Sequence, residues 1–211
     1  MASLVESPLN NVSYEKWVYP GLLVLIGIIS LIPVLCRDLF NFRIHKKAIT
    51  YMTLAPISKL KLIIGILVSA ILESLILVII GLLVLFFVTG IILDWGDYLI
   101  IFGFIIIINT LVGSFITTLA LLAARVFSFI FILMIFFCYV LFGSGIIVPL
   151  DIFPDQLRML IQYLPLNVMI HELHLVIFTG VFHWIPLSIL LFIIFPWTYI
   201  NSEIFRRELN Q

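Results

Sequence analysis

Residues 60–89 read LKLIIGILVSAILESLILVIIGLLVLFFVT, and this stretch decides the fold class. Its only charged residues are Lys61 and Glu73. A helix rises about 1.5 Å per residue and the hydrocarbon core of a bilayer is about 30 Å thick, so roughly 20 apolar residues suffice to cross it. The stretch therefore predicts a membrane-spanning helix, long enough to tilt strongly or to extend its first turns into the cytoplasmic interface.

The composition of the whole chain agrees with this stretch. Of 211 residues, 64% are hydrophobic and only 10% are charged. A soluble globule with so few polar groups could not cover its surface, whereas a bilayer removes that need. The 11 basic and 11 acidic residues balance, so net charge gives no indication of nucleic acid binding, and we expect no nucleic acid partner.

The sequence predicts an all-α integral membrane protein with five spans, at about residues 17–36, 60–89, 98–124, 127–148 and 181–200. Residues 1–16 are expected to form an external tail, and residues 17–211 a single transmembrane domain. The third and fourth spans meet at Arg125 with almost no loop between them. These two spans are therefore predicted to form an antiparallel hairpin.

The basic residues predict the orientation of the chain. Nine of the eleven would share one side of the membrane: Arg37, Arg43, Lys46, Lys47, Lys59, Lys61, Arg125, Arg206 and Arg207. Only Lys16 and Arg158 would lie on the other side. Loops rich in Lys and Arg stay in the cytoplasm. We therefore expect a multi-pass protein of the cell membrane with an external N-terminus and a cytoplasmic C-terminus.

The stretch between the first two spans, residues 37–61, mixes basic residues with a short apolar pattern. That pattern consists of Ile44, Ala48, Ile49 and Met52. It predicts a short amphipathic helix on the inner membrane face, which stops before Pro56, after which Ser58 caps the long second span. A solvated basic loop is the alternative, since such stretches are common next to spans.

The external stretch, residues 151–180, combines two short helical patterns. The first carries Leu157, Leu160, Ile161 and Leu164 on one face, and the second carries a polar stripe of Asn167, His171 and His174. Pro165 is expected to break the helix between them, and Gly180 to release the chain into the last span. Because each piece is too short or too polar to cross, the pair is predicted to dip into the outer leaflet and return, with the apolar face of the first piece packed on the spans beneath.

Within the second piece, His171-Glu172-Leu173-His174 partly resembles a zinc-protease motif. Such proteases need HExxH, in which the histidines at positions i and i+4 face one metal ion. Here the second histidine is at i+3 and no distant third ligand is evident. A polar stripe on a re-entrant helix is the favoured interpretation, and an intramembrane metal-dependent enzyme is a weaker alternative.

Glu73 is the only ionisable residue deep inside a predicted span. A charged carboxylate at that depth is costly, so we expect it to be protonated or turned toward Asn109, Ser114 or Thr117 on the next helix. An interhelical contact is favoured over a substrate or proton site. No Walker A or GxSxG motif occurs in the chain, so we expect neither catalytic residues nor ATP hydrolysis by this chain.

Two segments together resemble a known family. Residues 143–154, GSGIIVPLDIFP, are followed by Leu157, Ile161, the sequence Leu164-Pro165-Leu166 and Gly180. This spacing is similar to the signature of ABC-2 type transporter permeases. Residues 53–62, TLAPISKLKL, resemble the family's stretch after its coupling helix, and Tyr19-Pro20-Gly21 resembles the start of its second span.

The resemblance implies a permease subunit of an ATP-binding cassette exporter. Two such subunits, identical or different, would pair among the membrane lipids and dock separate ATPase subunits, which bind ATP and magnesium. This chain would bind no cofactor itself. The coupling helix to the ATPase would include Arg43, Ile44, Lys46, Lys47, Ala48, Ile49, Met52 and Pro56. The outer gate would include Gly145, Pro149, Phe153, Pro154, Leu157, Leu160, Ile161, Pro165 and Gly180.

Two features differ from the family pattern. The family usually carries a Glu-rich Gly-Thr-x-Glu pattern in the coupling region, where this chain has Lys46, Lys47, Ala48 and Thr50. The family also usually has six spans, and this chain begins where the second would begin. An accessory or assembly membrane protein without its own substrate path therefore remains the main alternative.

Overall fold

A computed structural model describes residues 12–44, 58–123 and 125–209. Every element in these ranges is helical. The helices are α1 (Tyr14–Ile44), α2 (Lys59–Thr89), α3 (Trp95–Leu122), α4 (Val126–Cys138), α5 (Asp155–Ile161), α6 (Pro165–Thr179) and α7 (Trp184–Leu209). A π-helical turn, Tyr139–Gly143, continues α4, and a 3₁₀ turn, Leu150–Ile152, precedes α5.

Four helices, α1, α2, α3 and α7, are long and apolar enough to cross a bilayer. The chain is therefore an all-helical, membrane-embedded protein, as predicted. The predicted count of five spans is not confirmed. The helix expected over residues 127–148 ends earlier, because Phe127–Gly143 is followed by Gly145 in a left-handed conformation.

The core is built around α1, which packs against both α2 and α3. In its most apolar stretch 67% of the residues are buried, against 17% in α2. Among the residues buried completely are Leu23, Ile28 and Leu31 of α1 and Ile105 and Ile108 of α3. The other face of α2 is apolar and exposed, which suits contact with lipid tails rather than water.

Helix ends agree with several sequence predictions and shift others. Ser58 caps α2 as predicted, since its hydroxyl accepts a hydrogen bond from the Lys61 amide at 3.4 Å. The turn between α3 and α4 includes Arg125, also as predicted. In contrast, α1 continues past residue 36 as far as Ile44, and α7 begins at Trp184 rather than at residue 181.

Candidate functional site

The most distinctive feature of the fold is the bent pair, which we define as α5 and α6. The two helices meet at 90° across residues 162–164, and by length and composition they are either a re-entrant loop or a broken span. Pro165 occupies the start of α6, where its missing amide proton costs nothing and its fixed φ favours the helix. The predicted break at Pro165 is thus confirmed.

Two glycines bracket the bent pair. Gly145 has a φ of 77° and Gly180 a φ of 68°. An L-residue with a side chain rarely adopts this left-handed region, whereas glycine does so at little cost. The Gly180 amide also closes α6 by donating to the Val176 carbonyl at 3.1 Å. The backbone therefore turns at Gly180, where α6 ends as the sequence predicted, and at Gly145, which precedes α5 by ten residues.

The hinge loop, residues 144–149, is anchored on α1. The Tyr14 hydroxyl donates to the Ile147 carbonyl at 2.7 Å, and the side chain of Ile146 is fully buried. A Cβ at Gly21 would lie 3.0 Å from the Ile146 Cγ2 atom, so only glycine fits this approach without displacement. Two segments that carry the family resemblance are therefore in contact. No pattern in the sequence predicts this role of Tyr14.

Asn167 fastens the start of α6 to the end of the preceding helix. Its Oδ1 accepts a hydrogen bond from the Tyr139 hydroxyl, and its Nδ2 donates to the Gly143 carbonyl at 2.6 Å. Asn167 is buried, which makes both bonds more costly to lose. Of the predicted polar stripe, Asn167 and His174 are buried and His171 is exposed. The stripe therefore faces the protein interior only in part.

The predicted packing of α5 is wrong within this chain. Leu157, Leu160, Ile161 and Leu164 were expected to pack on the spans beneath, but Leu160 is 72% exposed and α5, a helix of only seven residues, buries none of them. Its contact with the hinge region is polar instead, because Arg158 lies 2.7 Å from Asp151.

Below this ion pair lies a cavity of about 250 Å³ between α1, the hinge loop and the bent pair. Its polar lining includes Asp151, Arg158, Asn167, His171 and His174, with Trp17 on the α1 side. The His174 ring stacks on Trp17 at 4.8 Å between centroids, and its Nε2 atom has no hydrogen-bond partner. His174 lies outside the four spanning helices, and burial, with a smaller effect of nearby His171, lowers its pKa to about 4.

The His171-Glu172-Leu173-His174 segment does not converge on one point. The buried Glu172 carboxylate lies 3.2 Å from His183 Nδ1, a histidine that the sequence analysis had not paired. Among the described residues, no group of three or more His, Cys, Asp or Glu side chains is placed to hold a metal ion. This arrangement favours a structural role for Glu172 and gives no support to the metal-enzyme alternative.

Glu73 makes a different contact from the one expected. Its carboxylate lies 3.1 Å from the Arg37 guanidinium on α1 and not against Asn109, Ser114 or Thr117. Asn109 instead donates to the Ser74 hydroxyl at 2.8 Å, next to Glu73 in the chain. Ser74 in turn donates to the Gly27 carbonyl at 3.0 Å. The intramembrane polar cluster thus joins α1, α2 and α3, but through the neighbouring serine.

Most of the predicted coupling segment lies outside the described residues. Arg43 and Ile44 belong to the last turn of α1, whereas Lys46, Lys47, Ala48, Ile49, Met52 and Pro56 fall in the gap between residues 44 and 58. The coupling assignment stays a prediction.

Comparison with known proteins identifies no relative of this chain. No family model matches the chain, no curated protein matches it, and no solved structure matches it. The described geometry defines a membrane-embedded helical protein that has a bent helix pair between two glycines of left-handed backbone conformation.

Proposed function

We propose that this chain is the permease subunit of an ATP-driven exporter of the ABC-2 type. The observation that carries the proposal is the bent pair between Gly145 and Gly180, which stands where the resemblance assigns the outer gate. A short helix pair with glycine hinges at both ends can shift as a rigid body while the spans stay in place. That is the movement an exit gate needs.

In this proposal the bent pair lies at the external surface. The nine-to-two distribution of basic residues supports an external N-terminus and a cytoplasmic C-terminus. Residues 43–54 then lie in the cytoplasm and contact a separate ATPase subunit, which supplies the ATP and magnesium site. A second permease subunit completes the substrate path, and the chain itself catalyses no reaction.

The buried contacts around the gate support the same assignment. Asn167 ties α6 to the π-helical turn, and Tyr14 ties the hinge loop to α1. The exposed leucines of α5, by contrast, leave the tip of the pair without packing inside this chain. In this proposal the buried contacts hold the pair in its closed position, and opening has to break them, whereas the tip of the pair is free to move.

The test is purification of the tagged chain from its native membrane, followed by measurement of co-purifying ATPase activity. We expect vanadate-sensitive activity with the wild type and its loss in Ile49→Asp, because a charge in the apolar face would be buried unpaired at a packed contact. Thr50→Asp, which lies outside the apolar pattern of the sequence, is the matched control and should keep the activity. Absence of ATPase from the wild-type preparation would contradict the proposal and favour an accessory protein.

Glu73 and Asn109 have structural roles in this proposal rather than a role in substrate binding. Their contacts join α1, α2 and α3, and Asn109 is completely buried. Interhelical polar contacts of this kind hold spans together where the hydrophobic effect cannot.

A further inference from the structure

The cavity between Trp17, Arg158 and His174 has the lining of a ligand site that the proposed gate does not require. It joins three parts of the chain: α1, the hinge loop and the bent pair. A cavity of about 250 Å³ is smaller than a typical pocket for a drug-sized ligand. It suits a small polar group whose remaining atoms stay outside.

The charges at the cavity indicate what kind of group would fit. Asp151 and Arg158 form an ion pair at 2.7 Å, and both side chains are about half exposed. Exposed pairs of this kind contribute little, so the two side chains can separate at small cost. The positive group of a zwitterionic ligand could then pair with Asp151 and its negative group with Arg158, so that both charges stay balanced.

The neutral groups of the lining point the same way. The His174 ring is buried beside Trp17, and its Nε2 atom lacks a hydrogen-bond partner. A buried polar atom without a partner is costly and needs an explanation, such as a ligand atom. The cavity also has apolar lining from Leu150, Ile170 and Leu175. The lining thus combines one acidic and one basic side chain, which suit a zwitterion, with apolar and hydrogen-bonding groups.

Trp17 indicates where the ligand comes from. It lies in the first turn of the spanning helix α1, and tryptophan at the end of a span lies at the level of the lipid headgroups. We infer that this cavity binds the headgroup of a zwitterionic phospholipid with a primary amine, such as phosphatidylethanolamine. The ammonium pairs with Asp151 and the phosphate with Arg158, while the acyl chains remain in the bilayer.

Such a lipid would bridge α1 to the bent pair. Trp17 and the hinge loop belong to the fixed part, whereas Arg158 and His174 belong to α5 and α6. A bound headgroup would therefore hold the two parts together. This consequence rests on the proposed function, but binding of the lipid does not, so the two are tested separately.

The test measures lipid binding to the purified chain without any ATPase, by native mass spectrometry with short-chain lipids. Phosphatidylcholine is the matched lipid, since its quaternary ammonium has no N–H to donate to Asp151. We expect the wild type to prefer phosphatidylethanolamine by about tenfold or more, the scale of one lost charge-assisted hydrogen bond. Asp151→Asn should abolish the preference, because it removes the charge that pairs with the ammonium. Arg158→Gln should weaken the binding of both lipids, because both carry the phosphate.

Arg206→Gln, which removes another ion-paired arginine far along the chain, is the control variant and should bind as the wild type does. Equal binding of the two lipids by the wild type would overturn the inference, and so would a preference that survives in Asp151→Asn or lipid binding that is unchanged in Arg158→Gln. Soluble phosphoethanolamine that binds as tightly as the lipid would overturn the lipid as the source. His174→Phe, which keeps a ring against Trp17 but removes the Nε2 atom, should also weaken the binding of phosphatidylethanolamine.

Discussion

The Arg37 guanidinium lies 3.1 Å from the Glu73 carboxylate, and the pair joins α1 to α2 within the spanning part of both helices. Arg37 also lies 2.9 Å from Asp38, its neighbour in the chain. The side chains of Arg37 and Glu73 remain 55% and 41% exposed. Charged groups inside the membrane are usually paired or face a cavity or protein rather than lipid. This part of the surface is therefore unsuited to direct contact with lipid tails.

We predict that Arg37 and Glu73 are energetically coupled. Arg37→Gln and Glu73→Gln should each lower the melting temperature of the purified protein. The first leaves the Glu73 carboxylate without its partner, and the second removes one of the two carboxylates that contact Arg37. The double variant should lose less than the sum of the two, which is the signature of a direct interaction. Thermal unfolding in detergent measures all three. Additive losses would contradict the pairing, and Glu203→Gln, which alters a separate ion pair, serves as the control.

A second prediction concerns the close approach of α1 to α2 and α3 at Gly27. A Cβ there would lie 3.2 Å from Ile105 Cγ2 and 3.4 Å from Asn109 Nδ2. Gly27→Val should therefore lower the free energy of unfolding by about 1–3 kcal/mol through overpacking. Gly65→Val is the matched control, since no other atom lies within 4 Å of a Cβ at that position. Denaturant unfolding should separate the two variants, and equal stabilities would show that the helices do not approach at Gly27.

Sequence patterns located the helices well because helix formation depends on local features. The apolar run of residues 60–89, the cap at Ser58 and the break at Pro165 all rest on spacing along one segment. The wrong predictions share a different cause. Periodicity shows that Leu157 and Leu160 lie on one face of α5, but it does not show what covers that face. In a membrane protein an apolar face can be exposed to lipid as readily as buried in protein.

The partner of Glu73 was missed for a reason of geometry. Asn109 does reach the level of Glu73, but it contacts the adjacent Ser74, which points into the core. One position along a helix turns a side chain by about 100°. The sequence therefore predicted the depth of Glu73 relative to Asn109 correctly, but not the residue that Glu73 contacts. On α1, Ser30 is the residue that contacts Ser74. Arg37 lies more than one helical turn further along α1, and its long side chain nevertheless reaches Glu73. Such reach cannot be read from hydropathy.

A third prediction follows from the burial of His174. Its pKa is lowered from 6.5 to about 4, so between these values the unfolded chain binds a proton that the folded chain does not. Stability should therefore fall as the pH decreases from about 6.5 to 4, by at most about 3 kcal/mol for this group. His174→Phe lacks this group and should show a smaller loss over the same range. Unfolding curves at pH 7, 5.5 and 4.5 provide the measurement, and parallel losses in the two proteins would contradict the assignment.

The last prediction separates a gate from a packing element by comparing two buried asparagines. Asn167 fastens the bent pair. Asn201 makes matching contacts elsewhere, since its Nδ2 donates to the Ser114 carbonyl at 2.9 Å and its Oδ1 accepts from Thr118 at 2.6 Å. Removal of either side-chain amide leaves its buried hydrogen-bond partners unsatisfied. Asn167→Leu and Asn201→Leu should therefore both lose about 1–3 kcal/mol of stability.

Only the Asn167 variant should change transport behaviour, because only its contact lies at the base of the proposed gate. In proteoliposomes, Asn167→Leu should release trapped carboxyfluorescein without ATP, and with the ATPase partner it should raise turnover that is not coupled to transport. Asn201→Leu, equally destabilised but altered between α3 and α7, should retain the dye as the wild type does. Retention by a folded Asn167→Leu protein would contradict the gate, and leakage from both variants would point to general loosening of the bundle. A leak confined to Asn167→Leu is the outcome that a hinged gate requires and that an accessory protein without a substrate path would not produce.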